Sequence, residues 1–261
     1  VTFSKNNLWI GTLKDVKNNI YKYKKEKSKW EVTKLEISGQ NGEYSLTSTY
    51  DESENIYFSY YDFLNPTIVF HVNENNLKKS KSILQTPKRF DSKKLKFSQL
   101  KTKSADGTLI PYFIVYPENM KLTKNSTPRP TLLYGYGGFE IPMTQSYSGS
   151  LGKVWLEKGG VYVLANIRGG GEYGPSWHKA ALKKNRHKAY EDFYAIAEDL
   201  ISRGITSPEK LGIKGGSNGG LLTSVAFTQR PELFKAVISE VPLANMLEYH
   251  RWLAGNSWVA E

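Results

Sequence analysis

The residues best placed to do chemistry lie at Gly215-Gly216-Ser217-Asn218-Gly219-Gly220, which fits the Gly-x-Ser-x-Gly pattern of a nucleophilic serine on a sharp turn. A short apolar stretch, Leu211-Gly212-Ile213, reads as a strand ahead of it, and Leu221 to Phe227 reads as a helix behind it. Strand, tight turn and helix are what the pattern requires. A serine at the tip of such a turn has a strained backbone, and the flanking positions must lack a Cβ to avoid collision. The helix then aims its first amides and its positive dipole end at the same spot, so the Asn218 N–H can bind a developing oxyanion. Acyl transfer through Ser217 is the chemistry this arrangement would support. A glycine- and serine-rich turn without catalytic role is the plain alternative, and the coincidence of strand, helix and flanking glycines weighs against it.

Two other glycine loops bear on the chemistry. Tyr134-Gly135-Tyr136-Gly137-Gly138-Phe139 follows a strand upstream of Ser217, where a second oxyanion donor is expected. That donor is usually a backbone N–H, but a phenol O–H serves as well. Gly169-Gly170-Gly171-Glu172-Tyr173-Gly174 fits Gly-x-Gly-x-x-Gly, with Glu191 and Asp192 near the position of a ribose-binding acid. This is a rival, dinucleotide-binding reading. Against it, Pro175 and Trp177 stand where a phosphate-binding helix should begin with small residues, and Arg168 precedes the loop.

Composition narrows the function classes. The 261 residues carry no cysteine, so neither a disulfide framework nor a thiolate metal site is available, and no His-Glu-x-x-His helix occurs. No metal and no cofactor are expected. The net charge of +11 raises the question of nucleic acid. Its lysines, such as Lys22, Lys24, Lys25, Lys27 and Lys29 on one hairpin, are scattered in polar company, and the chain is also rich in Asn, Ile and Tyr, as AT-rich codon usage produces. A solvated basic face is therefore expected, not a nucleic-acid site. No apolar run approaches the ~20 residues that span a bilayer, and Val1 to Ile10 shows no signal pattern, so the expected location is cytoplasmic, with no membrane partner. The sequon Asn125-Ser126-Thr127 is read as chance. Val1 leads directly into strand-like sequence, which suggests a piece of a longer protein.

The elements that must position these residues fall into two regions. From residue 1 to 92, short β-branched and aromatic stretches recur between polar turns: Leu8-Trp9-Ile10, Ile20 to Tyr23, Trp30 to Val32, Asn55 to Phe58 and Thr67 to Phe70. This predicts an all-β segment suited to a sandwich or to propeller blades, with material for about two blades, fewer than the ~4 that close a ring. From 93 to 261 the pattern changes. A hairpin is predicted from Leu95–Lys101 and Leu109–Tyr116, then a loop to Pro130, a strand at Thr131–Tyr134, a helix at Leu151–Lys158 and a strand at Val161–Ile167. An amphipathic helix from about His187 to Arg203, the Leu211 strand and a central strand at Ala236–Ser239 complete a largely parallel sheet with helices on both faces.

These stretches together resemble the prolyl oligopeptidase family of serine peptidases. The resemblance rests on Tyr134 to Phe139, Ala165 to Gly174, Gly215 to Leu222, Gln229 to Phe234 and the aromatic tail around Trp252 and Trp258. It is dense from about Lys93 to Glu261 and weaker before that. It implies an α/β fold class, an incomplete α/β-hydrolase peptidase domain over 93–261, preceded over 1–92 by the last blades of a β-propeller. It further implies that Ser217 attacks the carbonyl after a proline while the Asn218 amide and the Tyr136 hydroxyl hold the oxyanion. Phe139, Leu243 and Trp258 would line the pocket for the proline ring, and short proline-containing peptides would be the substrates. Asn218 after the serine points to the proline-specific branch and away from the oligopeptidase B branch, which resembles it but carries alanine there.

The histidines depart from the family pattern. The family order is Ser, then Asp, then His, with both partners downstream of Glu261, and none of His71, His178, His187 and His250 matches the family's base. Without a base the Ser217 hydroxyl stays protonated and is a weak nucleophile. The expectation is a chain truncated at both ends, inactive by itself and marginally stable, with exposed sheet edges. A non-catalytic binding module, paired with a chain that supplies the missing half, is the competing expectation. An esterase or lipase is a third, disfavoured by the propeller-like first region and by Trp258.

Overall fold

A computed structural model describes residues 1–36, 42–47, 52–124 and 127–261. Asn125 and Ser126 of the sequon lie outside the described residues. The chain forms two compact units, Val1–Ser92 with Thr144–Gly152, and Lys93–Met143 with Lys153–Glu261.

The first unit holds two four-stranded antiparallel meanders. One runs β1 (Thr2–Phe3), β2 (Asn7–Lys14), β3 (Lys17–Glu26), β4 (Lys29–Lys34), and the other β5 (Glu43–Leu46), β6 (Asn55–Tyr61), β7 (Ile68–Asn73), β8 (Lys81–Gln85). These are the propeller-blade sheets that the strand spacing anticipates. Alternation does the positioning: along β6, Ile56, Phe58 and Tyr60 point inward and are buried, while Tyr57 between them is exposed. With Trp9, Ile20, Leu35, Phe70 and Val72 they form one core cluster. The short β5 and the fully exposed β8 have no apolar pattern by which to be recognised.

The second unit is built on a six-stranded sheet in the order β14-β13-β11-β12-β10-β9. Strands β9 (Leu95–Lys103) and β10 (Leu109–Pro117) form the expected hairpin, closed by Gly107 at φ +83° and by the Asp106 side chain accepting from the Thr108 N–H at 3.1 Å. Strands β11 (Thr131–Tyr134), β12 (Val161–Ala165), β13 (Leu211–Gly216) and β14 (Ala236–Glu240) run parallel, as their near-continuous apolar runs require. Leu133, Val163 and Ile213 are completely buried at its centre. Ala236–Glu240, read as central, pairs only with β13 among the described residues, and Ile238 is 46 % exposed.

The predicted helix at Leu151–Lys158 takes another form. A single turn, α1 (Gly149–Leu151), passes into a π-helical turn at Gly152–Leu156, where the Trp155 indole leaves the helix axis to donate to the Val161 carbonyl at 2.8 Å. Of the remaining helices, α2 spans Pro175–Lys179, α3 His187–Ser202 and α4 Asn218–Gln229. Helix α3 packs Phe193, Ile196, Ala197 and Leu200 on the sheet, the face its 3.6-residue period specifies, and stops at Gly204 with φ +69°. No helix of the described residues is long and apolar enough to cross a membrane.

Candidate active site

Strand β13 delivers Ser217 to the sheet's carboxyl end and α4 leaves from it. Ser217 has φ 55° and ψ −115°, a left-handed conformation costly for a residue with a Cβ. The surroundings hold it there: its N–H donates to the Glu240 carbonyl at 2.9 Å, and its own carbonyl accepts the first helical bonds from Gly220 and Leu221. The glycines are required by close approach. A Cβ on Gly215 would lie 2.1 Å from the Gly219 carbonyl oxygen, and one on Gly219 would lie 2.4 Å from that of Gly135. The Ser217 hydroxyl makes no capping bond to the helix and is left for chemistry.

The loop after β11 supplies the facing donor. The Tyr136 hydroxyl lies beside the Ser217 side chain, close enough for that side chain to pull on its pKa. Burial raises the phenol pKa, against the pull of the Ser217 side chain and the Arg186 charge, so it remains an O–H donor at neutral pH. Asn218 opens α4, where the first N–H groups have no carbonyl within the helix. Its side chain is buried and donates through Nδ2 to the Tyr136 carbonyl at 2.6 Å, while Oδ1 accepts from Arg186. Arg186 also donates through Nη1 to the Gly137 carbonyl at 2.8 Å. Tyr136 and Asn218, the expected oxyanion donors, are thus tied to each other beside Ser217.

Phe139 and Trp258 also converge, their rings meeting edge to face with centroids 4.7 Å apart. Phe139 and Glu140 both have left-handed backbones, at φ 57° and 54°. Glu261 fixes the first of them, accepting from the Phe139 N–H at 3.0 Å through Oε2 and meeting His178 Nε2 at 2.9 Å through Oε1. Leu243 lines a shallow depression of about 320 Å³ together with Pro242, Ala244, Asn245, Tyr249 and Trp252. Neither Phe139 nor Trp258 lines that depression.

The histidines are engaged away from Ser217. His71 Nε2 meets Asn55 Oδ1 at 2.8 Å, His178 meets Glu261, His187 Nδ1 meets the Lys184 carbonyl and His250 packs edge-on to Tyr249.

The rival glycine loop serves another purpose. Arg168 is buried and bridges two carboxylates, Asp192 through Nε and Nη2 and Asp106 through both Nη atoms. Asp192, the candidate ribose acid, is fully buried in this pair. The loop from Gly169 to Gly174 packs around the buried Glu172, whose carboxylate accepts from the Met143 N–H at 3.0 Å. Burial pushes Glu172 up to about 7, against the pull of that bond and of Asn166.

Two contributors escape sequence reasoning. Arg186 lies in the basic run Lys183-Lys184-Asn185-Arg186-His187-Lys188, which reads as a solvated charge cluster. Glu261 carries no local motif. Only the tertiary placement marks either residue.

Known proteins resemble this chain over its whole length. The model of the prolyl oligopeptidase family matches residues 146–260. An uncharacterized peptidase of Sinorhizobium fredii is 47 % identical over 260 residues, which cover all of this chain and 35 % of the relative. The prolyl endopeptidase of Elizabethkingia miricola is 36 % identical over 247 residues, covering 94 % of this chain and 34 % of that enzyme. Among solved structures, a post-proline cleaving enzyme from Rickettsia typhi superposes with a TM-score of 0.89 at 41 % identity, over 99 % of this chain and 37 % of that one. The chain therefore spans about a third of the length of these relatives.

Proposed function

The chain belongs to the prolyl oligopeptidase family, and from that premise we propose that it carries the nucleophile and oxyanion hole of a serine-type endopeptidase cleaving short peptides on the carboxyl side of proline. The observation that carries this reading is the meeting of Ser217, on its strained elbow, with the Tyr136 hydroxyl and the start of α4. The Ser217 Oγ attacks the prolyl carbonyl carbon and its proton passes to a base. The carbonyl π pair becomes an oxyanion held by the Asn218 N–H and the Tyr136 O–H. Collapse expels the amine, which takes the proton, and water then hydrolyses the acyl ester on Ser217. Phe139 and Trp258 supply the flat apolar walls that suit a proline ring, and Leu243 is the third side chain of that pocket.

His71, His178 and His187 are hydrogen-bonded to other groups and His250 does not match the family's base, so on this reading the base is supplied from outside these 261 residues, by further chain or by a partner. The 261 residues alone are inactive on this reading, and their proposed location is cytoplasmic. The test is labelling by a fluorophosphonate, together with cleavage of an N-acylated prolyl amide. The 261-residue chain should resist labelling, and the full encoded protein should label and turn over unless Ser217→Ala is introduced. Turnover of the full protein that survives Ser217→Ala would sink the proposal. A chain that binds proline peptides, never labels and is never completed by a partner would support the binding-module reading instead.

A further inference from the structure

A single guanidinium ties the two oxyanion turns together, and we propose that Arg186 is a positioning residue that sets the Tyr136 and Asn218 donors relative to one another. The proposal rests on the reading of Ser217 as nucleophile. Arg186 stands between the turn Lys183–Asn185 and the start of α3. One arm, Nη1, donates to the Gly137 carbonyl at 2.8 Å, and the other, Nη2, donates to Asn218 Oδ1. With Oδ1 occupied, Asn218 Nδ2 is aimed at the Tyr136 carbonyl, which accepts at 2.6 Å. The links form a closed ring from Arg186 through Gly137, Tyr136 and Asn218 back to Arg186.

Each link of that ring is constrained. The Asn218 side chain is buried, so its amide has no water to turn to. Gly137 has φ +63°, and its carbonyl is backed by Gly169, where a Cβ would come within 2.4 Å of the oxygen. The guanidinium lies over the Tyr190 ring, 5.9 Å from the centroid. A planar fork can hold two acceptors at a fixed separation, and an ammonium on a flexible stem cannot do so in the same way.

The ring acts on both donors. The carbonyls of Tyr136 and Gly137 fix the backbone from which the phenol reaches Ser217. The Asn218 amide fixes the first residue of α4, whose N–H is the other donor. An oxyanion exists only after attack, so displaced donors should lower kcat and leave KM nearly unchanged. A misplacement of about 1 Å costs about 10²-fold in rate.

The experiment uses the full encoded protein that carries this chain, as wild type, Arg186→Met and Arg186→Lys, with active sites counted by fluorophosphonate titration. Turnover of an N-acylated prolyl amide is measured per labelled site. Affinity is compared for a peptide aldehyde ending in prolinal and for the matching alcohol. The aldehyde carbon bonds to the Ser217 Oγ, its oxygen enters the oxyanion hole and the serine proton passes to the base, whereas the alcohol forms no such bond.

Arg186→Met should lower kcat per site by about 10- to 100-fold with KM within about threefold, and should shrink the preference for aldehyde over alcohol by a similar factor. Arg186→Lys should recover part of both. An unchanged kcat per site and an unchanged aldehyde preference, with the loss confined to Tm, would overturn the proposal. Where Arg186→Met does not fold, wild-type values in Arg186→Lys would overturn it equally. A wild type without Ser217-dependent turnover removes the nucleophile reading and this proposal with it, whereas an active wild type with indifferent Arg186 variants removes this proposal alone.

Discussion

At the scale of single residues, the proposed mechanism depends on a hydroxyl donor that must stay protonated and in place. The Tyr136 phenol, its pKa raised by burial beside Ser217, meets the first condition, and the loop glycines meet the second. Tyr136→Phe keeps the ring and removes only the donor. In the full protein this variant should lose about 10²–10³ in kcat with little change in KM, measured on a prolyl amide. Loss in KM alone would mean that the hydroxyl binds substrate and does not serve the transition state. Phe139 makes a separate prediction, because its edge contact with Trp258 builds an apolar wall. Phe139→Ala should raise KM for prolyl substrates more than for alanyl ones, checked by the ratio of the two kcat/KM values.

At the scale of elements, two buried polar groups lock the loops behind the site. Arg168, at the end of β12, joins Asp192 on α3 to Asp106 in the β9–β10 turn, and holds the Asp106 carboxyl well below the usual carboxylate range. Arg168→Met would leave Asp192 charged, buried and unpaired. The expected loss is about 3–5 kcal/mol of stability, read from urea unfolding. Glu172 works in the opposite sense. Its carboxyl, raised by burial from 4.5 to about 7, holds a proton that the unfolded chain has already released. The folded state therefore binds more protons across that window, and stability present below pH 4.5 is lost as pH rises through about 7. Glu172→Gln cannot titrate, so its unfolding free energy should fall less than that of the wild type between those limits. Parallel pH curves for the two proteins would contradict this account.

At the scale of the whole molecule, the segment Thr144–Gly152 belongs to the first unit although the second unit's chain flanks it on both sides. Glu43 accepts from the Gln145 N–H at 3.3 Å, the Tyr147 hydroxyl accepts from the Arg89 N–H at 2.6 Å, and Phe90 stacks on Tyr147 at 5.2 Å. A fragment of residues 93–261 would remove all three partners. Chymotrypsin should then cut at Tyr147 in the fragment and spare that bond in residues 1–261, as mass spectrometry of the digests would show. Equal protection in both would mean that 93–261 is independent of what precedes it. A division at residue 92 follows from the change in strand pattern, and that pattern contains no trace of this exchanged segment.

The sequence by itself determined the family and the kind of fold, because both are written locally. Glycines at fixed offsets from Ser217 permit only a tight turn, apolar runs of strand length specify a buried parallel sheet, and the 3.6-residue period of α3 marks its inner face. Tertiary structure alone decided which polar groups meet. Arg186 and Asp106 sit in ordinary charged or polar surroundings along the chain, Glu261 follows the apolar run Trp258-Val259-Ala260, and each acquires its role from a partner at least 32 residues away. The π-helical turn at Gly152–Leu156 belongs to the same class. Periodicity fixes which face of an element is buried, whereas contact between distant charges and carbonyls depends on how the loops close, which no local pattern encodes.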